Sequence, residues 1–260
     1  MIFVSKRQKI LLTAIVSAAL VTLSIISSYT FGSIEVVITV VATYFLSVWA
    51  LQPDFSGEEY VVLLALPTLM SLGVVLLSEI PNFPVPLVYF IPPIYGVGLY
   101  VTLLVENIFH VSARSKLIPL LRAARTVGYL LTLVVVFIVS TLVFSEHFPS
   151  YLNAILMFIA GGILVGQALW QATLTSTNRI NLILATLISS LVYGEMAFVI
   201  SFWPARALGS GLVMTTVGYF LIGLIQHEWQ NNLNRRAVTE YVLVGTAVFL
   251  LLIFTTSWTG

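Results

Sequence analysis

One acidic residue stands inside a long apolar stretch of the chain. Glu195 lies in a run of mostly apolar residues at 180–202. On a helix counted from Ile180 it lies about 22 Å along the axis, in the outer half of a bilayer. A carboxyl group in hydrocarbon is costly, so an acid at such a depth is a functional candidate by default.

We expect the Glu195 side chain to turn inward, toward the helices on either side of it. Its candidate partners are polar residues in the neighbouring runs: Gln167, Gln171, Thr215 and Tyr219. The predicted intramembrane polar site consists of Glu195, Gln167, Gln171 and Tyr193. It has two interpretations, a neutral Glu that holds the bundle together through one interhelical hydrogen bond, or the proton carrier of a transporter. The pattern favours the structural interpretation.

A second group of ionisable residues is expected at the cytoplasmic face. Glu106 and His110 are four residues apart and share a helix face, while His227 and Glu228 end a later apolar run. Two histidines with carboxylates on one side of the membrane are ligand types of a metal site. However, the adjacent His227 and Glu228 are poorly placed to chelate one ion. We therefore predict interfacial salt bridges, with these side chains far apart or in solvent, and no bound metal.

Several kinds of chemistry are missing from the sequence. The chain has no cysteine, which excludes disulfides, thiolate metal sites and cysteine nucleophiles. It has no HExxH, GxSxG or Walker motif, and no lysine lies inside a span, which excludes a retinal Schiff base. The paired Glu58 and Glu59 resemble a motif of one intramembrane protease family, but Leu63 stands where that motif has arginine. We predict no cofactor and favour a function that is not enzymatic.

The composition requires a membrane environment. Of 260 residues, 59% are hydrophobic and 8% are charged, and the mean hydropathy is +1.06. A soluble domain has about 25% charged residues, so this chain cannot cover a water-facing surface but can cover one in contact with lipid. With 11 Lys and Arg against 10 Asp and Glu, no net charge favours nucleic acid as a partner.

Nine apolar runs are long enough to cross a bilayer, which takes about 20 residues. They are 10–30, 34–51, 60–78, 87–106, 127–145, 152–174, 180–202, 208–226 and 239–257. Every backbone polar group must be bonded within lipid, and the alternation of a membrane β-barrel is missing. The sequence therefore predicts an all-α polytopic bundle, a single integral membrane domain over 1–260 with no soluble domain.

The first run has a competing interpretation as a cleaved signal peptide, because Ser17, Ala18 and Ala19 suit a cleavage site. The apolar run continues to Ile26, which is too long for a signal core and favours a retained span.

The distribution of basic residues predicts the orientation of the bundle. With nine spans and a cytoplasmic N-terminus, ten of the 11 Lys and Arg lie on the inner side and only Arg206 lies outside. This is the bias of the positive-inside rule. It places the C-terminus outside and the protein in the cytoplasmic membrane.

Local patterns add three smaller expectations. The basic segment 112–126 fits either a short interfacial helix on anionic head groups or an ordinary loop. Gly162 and Gly166 have the four-residue spacing that lets helices approach closely. The three prolines within the apolar runs are expected to kink their spans: Pro67, Pro92 and Pro93.

Part of the C-terminal third resembles a known group. The sequence from Glu195 through Phe202, Trp203 and Pro204, and then GLIQHEWQNNLNRRAVTEYVLV from Gly223, resembles an uncharacterised family of multi-pass membrane proteins of small-genome candidate-phylum bacteria. The resemblance implies a bacterial cytoplasmic membrane protein and no particular reaction or substrate.

Three functions are compatible with these observations. The favoured one is a non-enzymatic structural or accessory protein, whose partners are the lipid bilayer and a membrane protein or further copies of itself. The second is a small transporter in which Glu195 is the protonatable group. The third is a membrane enzyme that acts on a lipid-linked substrate at the cytoplasmic face. A polar cavity at Glu195 would favour transport, and a groove beside His110 and His227 would favour an enzyme.

Overall fold

A computed structural model describes residues 5–31, 33–52, 57–78, 88–114, 118–173 and 179–256. These residues form nine α-helices and no strand. The helices are α1 (Lys6–Phe31), α2 (Ser33–Leu51), α3 (Gly57–Ser78), α4 (Ile91–Arg114), α5 (Ile118–Ser145), α6 (Ser150–Thr173), α7 (Arg179–Ile200), α8 (Ala207–Trp229) and α9 (Arg235–Thr255).

The nine helices correspond one to one to the predicted spans. Eight of them are long and apolar enough to cross a membrane, and in the described part of α3 the apolar stretch is Leu64–Ser78. Helix α1 ends at Phe31 and α2 begins at Ser33, which confirms the split between the first two spans. The prediction of an all-α polytopic bundle is confirmed.

Contacts divide the chain into two compact units, 1–131 and 132–260, with α5 crossing the boundary. In the first unit α1 packs against α2, α3 and α4, and α3 also packs against α2 and α4. In the second unit α6 and α7 form the most extensive helix pair, and α8 packs against α6, α7 and α9. The prediction of one domain over 1–260 stays a prediction.

The second unit carries three side-chain links between its helices and turns. Asn153 Nδ2 donates to Ser201 Oγ at 3.1 Å, which joins the start of α6 to the end of α7. Trp203 Nε1 donates to Thr256 Oγ1 at 2.8 Å and holds the end of α9 against the turn after α7. Near the other end of α9, the Tyr241 ring contacts His227 of α8 at 6.0 Å between ring centroids.

Two expectations about helix ends are wrong. Helix α4 continues to Arg114 and α5 begins at Ile118, so the described parts of the segment 112–126 extend these two helices instead of forming an interfacial helix or loop. Pro92 and Pro93 lie in the first turn of α4, where proline is tolerated because the amide there has no intrahelical partner, so they are not mid-span breaks. Pro67 does lie inside its helix.

Candidate functional site

Helices α6 and α7 approach each other along a row of small residues on α6. A β-carbon added at Gly162 would collide with Ser190 Oγ, and one added at Gly166 would lie 2.9 Å from Thr186 Cγ2. Only glycine leaves room for such contacts, and they let van der Waals packing hold two apolar helices together in lipid. The prediction that Gly162 and Gly166 mark a close helix approach is confirmed.

Tyr193 of α7 fills the space on the inner side of this helix pair. Its side chain is fully buried. The ring lies against Gly161 of α6, and its hydroxyl lies against Gly218 of α8. Tyr193 therefore joins three helices of the second unit at one point.

Glu195 points the other way. It follows Tyr193 by two residues, which is about 200° around a helix, and it is exposed. From Ile183 to Val199, the exposed side chains of α7 are apolar apart from Glu195. The expectation that Glu195 turns inward is wrong, because the inward side of α7 at this level is occupied by Tyr193.

An open groove of about 600 Å³ lies between the outward faces of α6 and α7 beside Glu195. It exists because Gly194 has no side chain and packs against the Ala154 carbonyl, so the two helices touch at its floor. Its lining is apolar apart from the one carboxyl group: Ala154, Ile155, Phe158, Leu191, Gly194, Glu195, Phe198 and Val199. We call this feature the α6–α7 groove.

The structure does not bring Glu195 together with its expected glutamine partners. The register set by the glycine contacts places Glu195 level with Met157, which is about 15 Å along the axis from Gln167 and about 21 Å from Gln171. Both glutamines are buried, whereas Glu195 is on the outward face. None of the hydrogen bonds and ion pairs found among the described residues involves Glu195.

The residues expected on α8 are also engaged elsewhere. The Thr215 hydroxyl donates to the Gly211 carbonyl of its own helix at 2.7 Å. The Tyr219 ring lies 4.8 Å from that of Tyr241 on α9.

The predicted cytoplasmic group has one pair of residues in each unit. Glu106 and His110, in α4 of the first unit, are 0% and 2% exposed. The expectation was that these side chains lie far apart or point into solvent. Solvent exposure is wrong for this pair, because α4 extends beyond them and carries both on its buried face. In the second unit His227 is half-buried against Tyr241, and Glu228 is exposed. Within the described ranges, no three His, Asp or Glu side chains are grouped so that they could hold a metal ion.

Sequence reasoning missed a polar centre in the first unit. The Tyr95 hydroxyl of α4 lies 3.5 Å from Thr43 Oγ1 of α2, and it also meets Ser17 of α1 and Ser71 of α3. All four side chains are buried. The sequence signal was the four-residue spacing of hydroxyl residues on α2, which places them on one inward face: Thr39, Thr43 and Ser47.

A family model matches most of the chain. A family described as protein of unknown function (DUF5656) matches residues 13–255. The chain belongs to this family. Comparison with curated proteins and with solved structures finds no match.

The DUF5656 match extends over all the described helices except the first residues of α1. It begins within α1 and ends at Thr255, the last residue of α9. The resemblance in the C-terminal third to an uncharacterised family is thereby confirmed and extended to nearly the whole chain. Glu195, the α6–α7 groove and the buried Glu106 and His110 all lie within the matched residues.

Proposed function

We propose that this DUF5656 protein is a non-enzymatic accessory protein of a bacterial cytoplasmic membrane, with its N-terminus in the cytoplasm and its C-terminus outside. It associates within the bilayer with another membrane-embedded protein helix, which lies in the α6–α7 groove. The observation that carries the proposal is the outward position of Glu195 in that apolar groove.

An outward carboxyl group is unfavourable when only lipid surrounds it. Charged residues within spans cost about 2.5–3.5 kcal/mol even on the lenient insertion scale. Glu195 is five residues, or about 7.5 Å, from the end of α7. Because side chains tilt toward the N-terminus of their helix, Glu195 tilts away from that nearer end and is poorly placed to reach the interface. A hydrogen-bonding group from another protein helix would remove this cost.

The groove supports association better than transport through Glu195. A proton carrier must be reached by water, whereas the groove is lined by aliphatic and aromatic side chains and opens toward the lipid side of α6 and α7. Such a surface fits the apolar side of a transmembrane helix.

Photochemical crosslinking in native membranes tests this proposal. A photoreactive phenylalanine analogue at Phe198 lies in the groove, and the same analogue at Phe254 of α9, an exposed phenylalanine outside the groove, is the matched control. We expect protein adducts from position 198 and lipid adducts from position 254. The protein adducts should disappear when Glu195→Leu is added. Lipid adducts alone from position 198, or protein adducts that do not depend on Glu195, would contradict the proposal.

A second candidate function rests on a different observation, the complete burial of Glu106 beside His110 in a span of the first unit. Intramembrane Glu and His residues form proton relays in transporters, and Thr102 and Tyr95 continue the same buried face of α4. In this function Glu106, and not Glu195, is the protonatable group of a small transporter. Purified protein in liposomes with an internal pH dye would then carry protons, and Glu106→Gln would stop this flux. Absence of any flux from the wild-type chain under a pH gradient argues against it.

A further inference from the structure

We propose that the helix that fills the α6–α7 groove comes from a second copy of this chain, and that the protein is a two-fold dimer in which the two Glu195 side chains meet. This inference rests on the proposed function, since it names the partner of the same groove.

Depth is the first argument for a second copy. A partner must present a hydrogen-bonding group at the level of Glu195, about 7.5 Å inside the end of α7. In a dimer whose two-fold axis is normal to the membrane, equivalent residues of the two copies lie at the same depth. Glu195 of one copy therefore lies at the same level as Glu195 of the other.

Chemical self-complementarity is the second argument. A neutral carboxyl group is both a donor, through its O–H, and an acceptor, through its carbonyl oxygen. Two such groups at a two-fold axis satisfy each other, whereas an aliphatic surface or a lipid chain offers neither role. Polar side chains of this kind associate helices in membranes.

Shape is the third argument. An isologous interface needs a ridge and a recess on the same surface. The recess is the α6–α7 groove, and the ridge beside it is Phe202, exposed in the turn after α7, whose ring contacts Phe198 of the groove lining edge to face at 5.2 Å between ring centroids. Rotation about an axis near Glu195 brings the ridge of each copy to the recess of the other.

The absence of cysteine makes a disulfide test direct, because any introduced cysteine is unique. Leu191→Cys lies in the groove, one turn from Glu195, and Thr246→Cys on α9 is an exposed control. Each position lies nine residues before the end of its helix, so the two are matched in depth. The purified protein, with two different affinity tags mixed before reconstitution in bilayers, should form a doubly tagged disulfide dimer through position 191 and not through position 246.

Variants of Glu195 separate the hydrogen bond from simple packing. In dilution series followed by energy transfer between labelled copies, Glu195→Gln should keep the association, because an amide also donates and accepts. Glu195→Leu should weaken it roughly 3- to 30-fold, the range expected for interhelical hydrogen bonds in membranes. Glu195 is exposed within one chain, so neither change should prevent folding, and unchanged helicity and thermal unfolding of each variant verify this.

The possible results test the dimer and the accessory function separately. Purified protein that stays monomeric, while the crosslinks from position 198 in native membranes contain a different protein, overturns the dimer but leaves the accessory function in place. Lipid adducts alone from position 198, together with a monomeric purified protein, overturn both. Equal association of Glu195→Leu and wild type overturns the role of the paired carboxyl groups.

Discussion

The Tyr193 ring lies directly against Gly161, so closely that a β-carbon at position 161 would be 2.5 Å from Cγ of the ring. This contact fixes the rotation of α7 about its own axis. With Tyr193 turned toward α6 and α8, Glu195 must face outward. The outward carboxyl group is therefore a consequence of glycine at position 161 of the neighbouring helix.

Substitution of that glycine should be strongly unfavourable. Gly161→Ala would place a methyl group 2.5 Å from Cγ of the Tyr193 ring, and overpacking of this kind costs about 1–3 kcal/mol. Gly209→Ala is the matched control, because its β-carbon would lie 3.1 Å from the flexible end of Leu252 and in ordinary contact with Ala205 Cβ at 3.8 Å. Alanine at position 209 should leave the stability unchanged or raise it, because glycine is unfavourable inside a helix. Unfolding by denaturant in micelles checks both, and equal stability of the two variants would contradict the packing described.

The ring of Tyr193 should contribute to the stability of the fold, and its hydroxyl should not. Among the described residues its buried hydroxyl has no hydrogen-bond partner, so Tyr193→Phe should leave the free energy of unfolding unchanged or raise it slightly. Tyr193→Ala removes the ring between three helices and should cost about 3–5 kcal/mol. A large loss of stability in Tyr193→Phe would show that the hydroxyl is bonded.

The sequence predicts the spans well, because the length of an apolar run decides whether it can cross a bilayer. It also predicts the close approach at Gly162 and Gly166, which depends only on residue size and spacing. The sequence does not predict the ends of α4 and α5, because charged residues such as Glu106 and Arg125 are typical of the interface and yet lie within these helices. Both helices continue past them.

The direction of Glu195 could not be predicted from the sequence. In a soluble helix the polar side identifies the surface, but in lipid both the core and the outer face of α7 are apolar, so no periodicity distinguishes them. The cost of an exposed carboxyl group favoured an inward position. The shape of Tyr193, which needs the space between Gly161 and Gly218, decided otherwise, and this depends on contacts between distant parts of the sequence.

The C-terminal end of α9 should be held by a hydrogen bond to the turn after α7. Thr256 Oγ1 accepts from Trp203 Nε1 at 2.8 Å and donates to the Leu252 carbonyl. Thr256→Val removes the acceptor and should destabilise this end by about 1 kcal/mol, seen as faster hydrogen exchange in the last turn of α9. Thr255→Val is the control, since the Thr255 side chain is exposed and bonds only carbonyls of its own helix. Equal exchange in the two variants would refute the link.

The orientation of the bundle gives a further prediction. A reporter fused after Pro149, in the turn before α6, should report the outside of the membrane. A reporter fused after Asn232, in the turn before α9, should report the cytoplasm. These positions follow from the bias of basic residues toward one side. A cytoplasmic signal from the fusion after Pro149 would break the nine-span topology.

The most direct test of the central claim measures the reaction of Glu195 with an apolar carbodiimide that enters the bilayer and modifies carboxyl groups. With one copy of the chain in each lipid nanodisc, Glu195 should be modified quickly and the buried Glu106 should not. With several copies in each disc, Glu195 should become protected as the groove is filled. Mass spectrometry of the two peptides gives both rates. A Glu195 that is as unreactive as Glu106 in single-copy discs would contradict the outward position on which the account depends.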